Sequence, residues 1–425
     1  MIKFHEKIGN YLTDQDELPP LTIVLLCSPS AGSISSWVPV IFFLAKHFRI
    51  SLHVVFGKTS TPAQWSLIST EQKVVDYFSL SYTWRERNGN WNHFNKMRFS
   101  ETSSESFLRK YQSLPRKWYH MLSEKSSLKD LVKTKPDIIF YDIYEETKGY
   151  LKDFFYATGG IRRVSLSHGL NPYSPSFAPP GLDANEEARI DQERVIILKY
   201  TDSLDWTDRF LTNIPKYVIG WPTLSNNWLR VNEALSSHPI PKQFLLFCSR
   251  GCNDKFFTYE EKAHVLREAF RFCRRENLFL VIKNHPKEIR NGRSLDHAFI
   301  ANILGEEREG LDWKVCNDNL ISLAKHATIV ISAVSTSVIL QTIAVNPRIL
   351  HVSREESSSP LVFALKSVDP PVPVRHVSFQ NLSVESLCEL SKELFSDEKR
   401  KLSVAPDMDE SIDKAISIIK NFLKE

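Results

Sequence analysis

The segment Leu280-Val281-Ile282-Lys283-Asn284-His285-Pro286-Lys287 places an imidazole where an apolar strand ends. The proline disfavours the right-handed helical region for His285 and so helps hold the loop after the strand. A neutral imidazole there can donate to a phosphate or leaving-group oxygen, and a protonated one neutralises charge. Lys283 and Lys287 add positive potential. About 50 residues later, Val330-Ile331-Ser332-Ala333-Val334-Ser335-Thr336-Ser337-Val338 runs from a strand into a hydroxyl-rich loop that opens a helix. Free N–H groups at a helix start, with Ser and Thr hydroxyls, make an anion site. Capping of the helix by Ser335 or Thr336 is the plainer reading, and both can hold at once.

A second group of polar residues lies in the first half of the chain. Leu21–Cys27 is a continuous apolar run of the kind buried in a parallel sheet. It leads into Ser28-Pro29-Ser30-Ala31-Gly32-Ser33, then a helix over 37–47 and a strand over 51–56. This opens a doubly wound fold. The loop lacks the spacing of a dinucleotide fingerprint. Gly32 then reads either as room for close approach of an acceptor or as an ordinary tight turn. The strand 136–142 delivers Asp142 to its polar end, with Glu145 just beyond; 148–157 reads as a helix; the strand 163–167 runs into His168-Gly169. Ligands of open α/β sheets sit outside the carboxyl ends of strands, so Asp142, Glu145 and His168 are well placed.

Residues 217–222 read as another strand ending in a turn, and 59–106 as irregular. Residues 109–135 read as one basic helix, suited either to anionic headgroups or to plain solvation. The polar, proline-containing stretch 236–242 is the linker, after which the strand–helix alternation restarts. Strands are expected over 244–248, 279–283, 328–332 and 348–352, and helices over 259–276, 320–326 and 338–344. In the helix 411–425, Ile412, Ala415, Ile416, Ile419, Phe422 and Leu423 share one face, which suits docking on the protein.

With 425 residues, two domains are expected. A hydrophobic content of 42% with 24% charged residues excludes disordered and fibrous classes. A net charge of +4 is too small for a general nucleic-acid binder. Six cysteines do not make a disulfide framework at this length, and Cys248 and Cys252 have no second pair at zinc spacing, so no metal site is expected. No apolar run approaches the roughly 18 residues of a spanning helix, and the N-terminus has no apolar signal core. The expected location is cytoplasmic, with peripheral contact at the inner face of the cytoplasmic membrane left open.

The order strand–His-Pro–long gap–strand–Ser/Thr loop–helix resembles bacterial surface-glycan transferases of the GT-B fold. These include HP-motif sialyltransferases, polysialyltransferases, Kdo transferases and the polyol-phosphate transferases of teichoic-acid synthesis. Ile282-Lys283-Asn284-His285-Pro286 is similar to their HP motif, Ser335-Thr336-Ser337 to their serine motif, and Val164–Gly169 to the strand-then-His-Gly element of several members. The resemblance implies an α/β protein of two Rossmann-like domains facing each other across a cleft. The acceptor domain would span 1–238, the donor domain 239–407, and the C-terminal helix, 408–425, would pack back on the protein.

It also implies roles. His285 would contact the nucleotide phosphate, next to Lys283 and Pro286, and assist the leaving group. Ser335, Thr336 and Ser337 would hold the phosphate. Asp254, the one carboxylate in the loop after the first strand of the second half, would be general base or nucleophile, or merely cap a helix. Arg250 would clamp a phosphate or a sugar carboxylate, or lie on the surface. Where many nucleotide-sugar transferases carry a Glu for the ribose, this chain has Leu340-Gln341, which leaves Gln341 for that contact. The acidic-acidic-Gly motif of some sialyltransferases is absent. The implied activity is metal-independent transfer of a CMP-activated keto acid sugar, Kdo ahead of sialic acid, to a surface polysaccharide or lipid-linked glycan, without a resident cofactor. The alternatives are a CDP-glycerol or CDP-ribitol phosphotransferase, with His168 as acceptor base, a UDP-sugar transferase or 2-epimerase, and a non-catalytic glycan-binding protein.

Overall fold

The computed structural model describes residues 2–12, 16–27, 32–57, 70–85, 91–95, 124–125, 128–143, 151–167, 194–200, 202, 206–235, 243–252, 257–284, 289–290, 293–294, 296–316, 318–334, 339, 342, 345–354, 375–396 and 410–424. They fall into two units, Met1–Leu67 with Glu71–Ser225 and Asp409–Glu425, and Ile68–Thr70 with Asn226–Met408.

The sheet of the first unit contains β1 (Pro20–Cys27), β2 (Arg49–Phe56), β3 (Ser79–Arg85), β4 (Trp91–Asn95), β5 (Glu124–Lys125), β6 (Ile138–Tyr141), β7 (Arg162–Leu166), β8 (Val195–Lys199) and β9 (Lys216–Val218). Their order is β5-β4-β3-β2-β1-β6-β7-β8-β9. All neighbours pair in parallel except β4, antiparallel to both β3 and β5. The central strands are apolar throughout because both faces are covered: Ile23–Leu26 and Ile138–Tyr141 are wholly buried. Helices α1 (Ile2–Gly9), α2 (Gly32–Leu44), α3 (Thr70–Phe78), α4 (Leu128–Lys133), α5 (Lys152–Ala157) and α6 (Trp206–Phe210) accompany the sheet.

Helix α2 starts five residues before the expected Trp37, inside the Gly/Ser loop, and contains Pro39. Its sequence is a poor helix former at that end, and packing overrides propensity. Trp37 stacks on Phe140 at 4.3 Å and its Nε1 donates to the Tyr141 carbonyl at 3.2 Å.

Two expectations for this unit are corrected. Within 59–106, read as irregular, lie α3, β3 and β4. Their polar residues are buried against one another: the Tyr82 hydroxyl donates to Asp76 Oδ1 at 2.5 Å, and Ser81 Oγ lies 2.7 Å from His53 Nδ1. Among the described residues of the basic stretch 109–135, Glu124–Lys125 pairs as an edge strand with β4 and Leu128–Lys133 is helical, so the stretch is not one helix. That short helix turns Leu128 and Leu131 into the core and pairs Lys133 with Asp130 at 2.9 Å. The expectation also passed over β8, a fully buried Val-Ile-Ile-Leu-Lys run.

The second unit holds α7 (Asn226–Leu235) and a sheet of six parallel strands. These are β10 (Phe244–Cys248), β11 (Phe279–Lys283), β14 (Trp313–Val315), β15 (Ile329–Ala333), β16 (Ile349–Ser353) and β17 (Arg375–Ser378), in the order β14-β11-β10-β15-β16-β17. The antiparallel pair β12 (Ile289–Arg290) and β13 (Arg293–Ser294) stands apart from it. Strands β14 and β17 are additional to those expected, as are α7 and the later helices α9 and α11.

Helix α8 (Tyr259–Arg275) begins at a capping box, in which Thr258 and Glu261 satisfy each other's backbone N–H. Its buried face and those of α9 (His297–Leu304) and α11 (Val384–Ser396) cover one side of the sheet. Helix α10 (Leu320–His326) covers the other. The units divide at 225/226, and α7 belongs to the second: Trp228, Leu229 and Leu235 are buried, and Glu233 pairs with Lys325 of α10 at 3.0 Å. The expected linker, 236–242, and most of the expected helix 338–344 lie outside the described residues.

The C-terminal helix, α12 (Glu410–Lys424), packs on α2 through Ile412, Ala415, Ile416, Ile419 and Phe422. Arg162 Nη1 donates to the Leu423 carbonyl at 3.1 Å. Gly220, at φ +80°, admits Ser411: a Cβ there would stand 3.2 Å from the serine Cβ. Among the described residues no helix is long and apolar enough to cross a membrane.

Candidate functional site

Each sheet reverses its strand order once, and polar residues gather at both reversals. In the first unit the reversal lies between β1 and β6. Gly32 is the first residue of α2. Asp142, directly after β6, is wholly buried. Beside it are two residues the sequence reading missed, Ser36 and Tyr200. The Tyr200 hydroxyl donates to the Ser167 carbonyl at 2.5 Å and lies 2.9 Å from Ser36 Oγ, which is 3.1 Å from the same carbonyl. Two hydroxyl protons are thus shared among three oxygens. Burial pushes the Tyr200 phenol well above its ordinary value; its bond with Ser36 opposes this, and the Asp142 charge adds to it. Ser165 Oγ accepts from the Ile143 N–H at 2.9 Å, which fixes the chain just past Asp142. The cluster therefore holds the residue immediately before His168. Tyr200 also stacks on Trp221 at 4.2 Å. The readable signal for Tyr200 was its place after the buried β8 run.

In the second unit the reversal lies between β10 and β15. Arg250, two residues beyond β10, donates from Nη1 to the Val334 carbonyl at 3.0 Å, directly before the serine loop. The Ser249 N–H donates to the Lys283 carbonyl at 2.9 Å. The loop after β10 is thus tied to the ends of both neighbouring strands. Lys262, fully buried on α8, supports it from beneath, with Nζ 3.3 Å from the Arg250 carbonyl and 2.6 Å from Asp296 Oδ2. Neither Lys262 nor Asp296 was singled out from sequence; a lysine on the apolar face of a helix was the available signal.

Lys283, Cys248, Ser332, His351 and His376 stand side by side in register across five strands. Burial pushes the Cys248 thiol up to about 12, against the pull of Lys283. That thiol is not a nucleophile at neutral pH. Burial likewise lowers His351 to about 4; the neighbouring His376 adds to this and the Ser332 backbone opposes it. Ser353 Oγ and His376 Nε2 are 2.8 Å apart.

Of the expected site residues, the structure therefore brings Arg250 and Lys283 to one edge, and Gly32 and Asp142 to the corresponding edge of the other sheet. Glu145, His168, Asp254, His285, Pro286, Ser335, Thr336, Ser337 and Gln341 lie outside the described residues. Among the described residues no group of three or more His, Cys, Asp or Glu is placed to hold a metal ion.

Two doubly wound units, with sheets of seven and six mutually parallel strands, match known structures along their length. The UDP-GlcNAc 2-epimerase of Neisseria meningitidis, solved with UDP-GlcNAc bound, aligns with a TM-score of 0.53 at 14% identity, over 94% of this chain and 100% of that one. The calicheamicin glycosyltransferase CalG4 aligns at 0.52 and 12%, over 96% and 99%. This chain has a GT-B type fold. A third match is MnaA of S. aureus, solved with UDP, at 0.52 and 11%, over 95% and 97%. No protein-family model and no curated protein sequence matches the chain. The GT-B part of the resemblance noted from sequence therefore stands on structure.

Proposed function

We propose that this protein is an enzyme of nucleotide-sugar chemistry. It binds a UDP-linked sugar at the carboxyl edge of the second sheet and breaks the bond between the anomeric carbon and the diphosphate. The observation that carries this reading is the convergence of Arg250, Lys283 and Val334 where the strand order reverses. Such reversals are where open α/β sheets bind ligands, and here the edge is basic. The aligned enzymes of N. meningitidis and S. aureus were solved with UDP-GlcNAc and UDP, which favours UDP over the CMP-linked keto acid sugar implied by the motif resemblance.

Departure of the diphosphate concentrates negative charge on its oxygens. Lys283, His285 and the hydroxyls of Ser335, Thr336 and Ser337 are the groups proposed to receive it. In 2-epimerisation, the proton at C2 leaves with the diphosphate, and it returns on the opposite face of the ring as the diphosphate rejoins C1, which requires a base. Asp254 is the candidate, and 2-epimerisation is the reaction we favour. A second reading, glycosyl transfer, draws on the buried polar cluster of Asp142, Ser36 and Tyr200 at the edge of the first sheet, which suits an acceptor side.

Calorimetric titration with UDP, CMP, CDP and GDP, with and without Mg²⁺, tests the nucleotide. UDP is expected to bind selectively. A preference for CMP returns the keto acid sugar, and no binding of any of the four overturns the reading. Incubation with UDP-GlcNAc in deuterated water then separates the reactions. Epimerisation exchanges deuterium into C2, whereas transfer without acceptor leaves C2 untouched.

A further inference from the structure

We propose that Arg250 is a positioning residue: its guanidinium holds Val334 in the backbone conformation from which the chain enters Ser335-Thr336-Ser337. The inference rests on the nucleotide-binding reading above and replaces the direct phosphate clamp expected of Arg250.

Three non-glycine residues among those described have a positive φ: Lys135, Asn277 and Val334, the last at +52°. Lys135 and Asn277 each stand two residues beyond a helix, where left-handed residues commonly end helical turns. Val334 differs on both counts. It is β-branched, the type least suited to this region, and it leaves the carboxyl end of β15 at the strand-order reversal. For an L-residue the left-handed region is disfavoured by about one order of magnitude, so it persists only where the surroundings impose it.

Two groups impose this conformation. The Val334 N–H donates to the Val352 carbonyl at 2.9 Å, and its carbonyl accepts from Arg250 Nη1 at 3.0 Å. Both backbone groups are thereby pinned, one by the neighbouring strand and one by a charged donor. Arg250 is itself anchored, because its carbonyl accepts from the buried Lys262, which Asp296 holds in turn. Residues 335–337 begin at the very next peptide. With Val334 fixed before ligand arrives, ordering that residue adds no reorganisation cost to binding. When the competent conformer is only partly populated, apparent affinity falls by that fraction.

The test is a rescue. Arg250→Ala is expected to weaken UDP binding about tenfold, as Val334 relaxes out of the left-handed region. Val334→Gly in the same chain is expected to recover affinity to within about threefold of the parent, because glycine adopts positive φ without help. If the double variant stays as weak as Arg250→Ala, Arg250 acts on the ligand directly and the inference is overturned. Should Arg250→Ala fail to fold by circular dichroism, Arg250→Gln carries the same comparison. If the parent binds no nucleotide, the functional reading fails but this one is still decided: Arg250→Ala must speed amide exchange at Val334, and unchanged exchange there overturns it.

Discussion

Replacing His351 by Asn should abolish a measurable part of the protein's acid sensitivity. The imidazole is fully buried between Ser332 and His376 on the neighbouring strands. Burial and the His376 charge lower its pKa from 6.5 to about 4, while the Ser332 backbone works weakly the other way. Ser353 engages His376 rather than His351. The unfolded chain takes up the proton readily and the folded chain does not, so stability falls as pH drops. The contribution is intact above pH 6.5 and is lost progressively down to about pH 4. The linkage relation gives a loss of about 2 kcal/mol at pH 5 and about 3 kcal/mol below pH 4. Urea denaturation at pH 7.5 and pH 5.0, followed by circular dichroism, measures it. The parent should lose about 2 kcal/mol more than His351→Asn over that interval. His376 is present in both proteins, so its own contribution largely cancels. Equal losses, within about 0.5 kcal/mol, would refute the idea that the buried neutral imidazole opposes protonation.

Lys262→Met should leave the Asp296 carboxylate without its buried partner and cost about 3–5 kcal/mol in urea unfolding, while Lys262→Met with Asp296→Leu should recover most of it. Tyr200→Phe removes the donor to the Ser167 carbonyl, and a loss of about 1–2 kcal/mol is expected by the same measurement. An unchanged stability in Tyr200→Phe would mean that Ser36 alone satisfies that carbonyl.

The basic stretch 109–135 shows why composition misled. Charged residues spread over a long segment read as one helix, but Glu124–Lys125 pairs as a strand, and Leu128 and Leu131 turn the short helix after it into the core. In 70–95 the reverse held. Tyr82, Asp76 and Ser81 look like loop residues singly, yet each has a partner inside, Ser81 in His53 of β2. No local pattern reports such pairs, because their partners are brought close only by strand pairing.

What the sequence determined alone was several of the buried parallel strands and the points where they end. The runs Leu21–Cys27, Phe244–Cys248 and Phe279–Lys283 have no polar face, and a strand without one must be covered on both sides. Their carboxyl ends mark both candidate edges, and the stripe of Ile412, Ala415, Ile416 and Ile419 announced a docked C-terminal helix. Tertiary structure alone decided which of these ends become neighbours. Arg250 meets Val334 across 84 positions, and Ser36 meets Tyr200 across 164. Strand order sets these meetings, and strand order follows from how crossovers pack on a sheet. It also decided that α7 joins the second unit and that Val334 takes a conformation its own side chain opposes. A residue's intrinsic preference is readable locally, but the partner that overrides it is not.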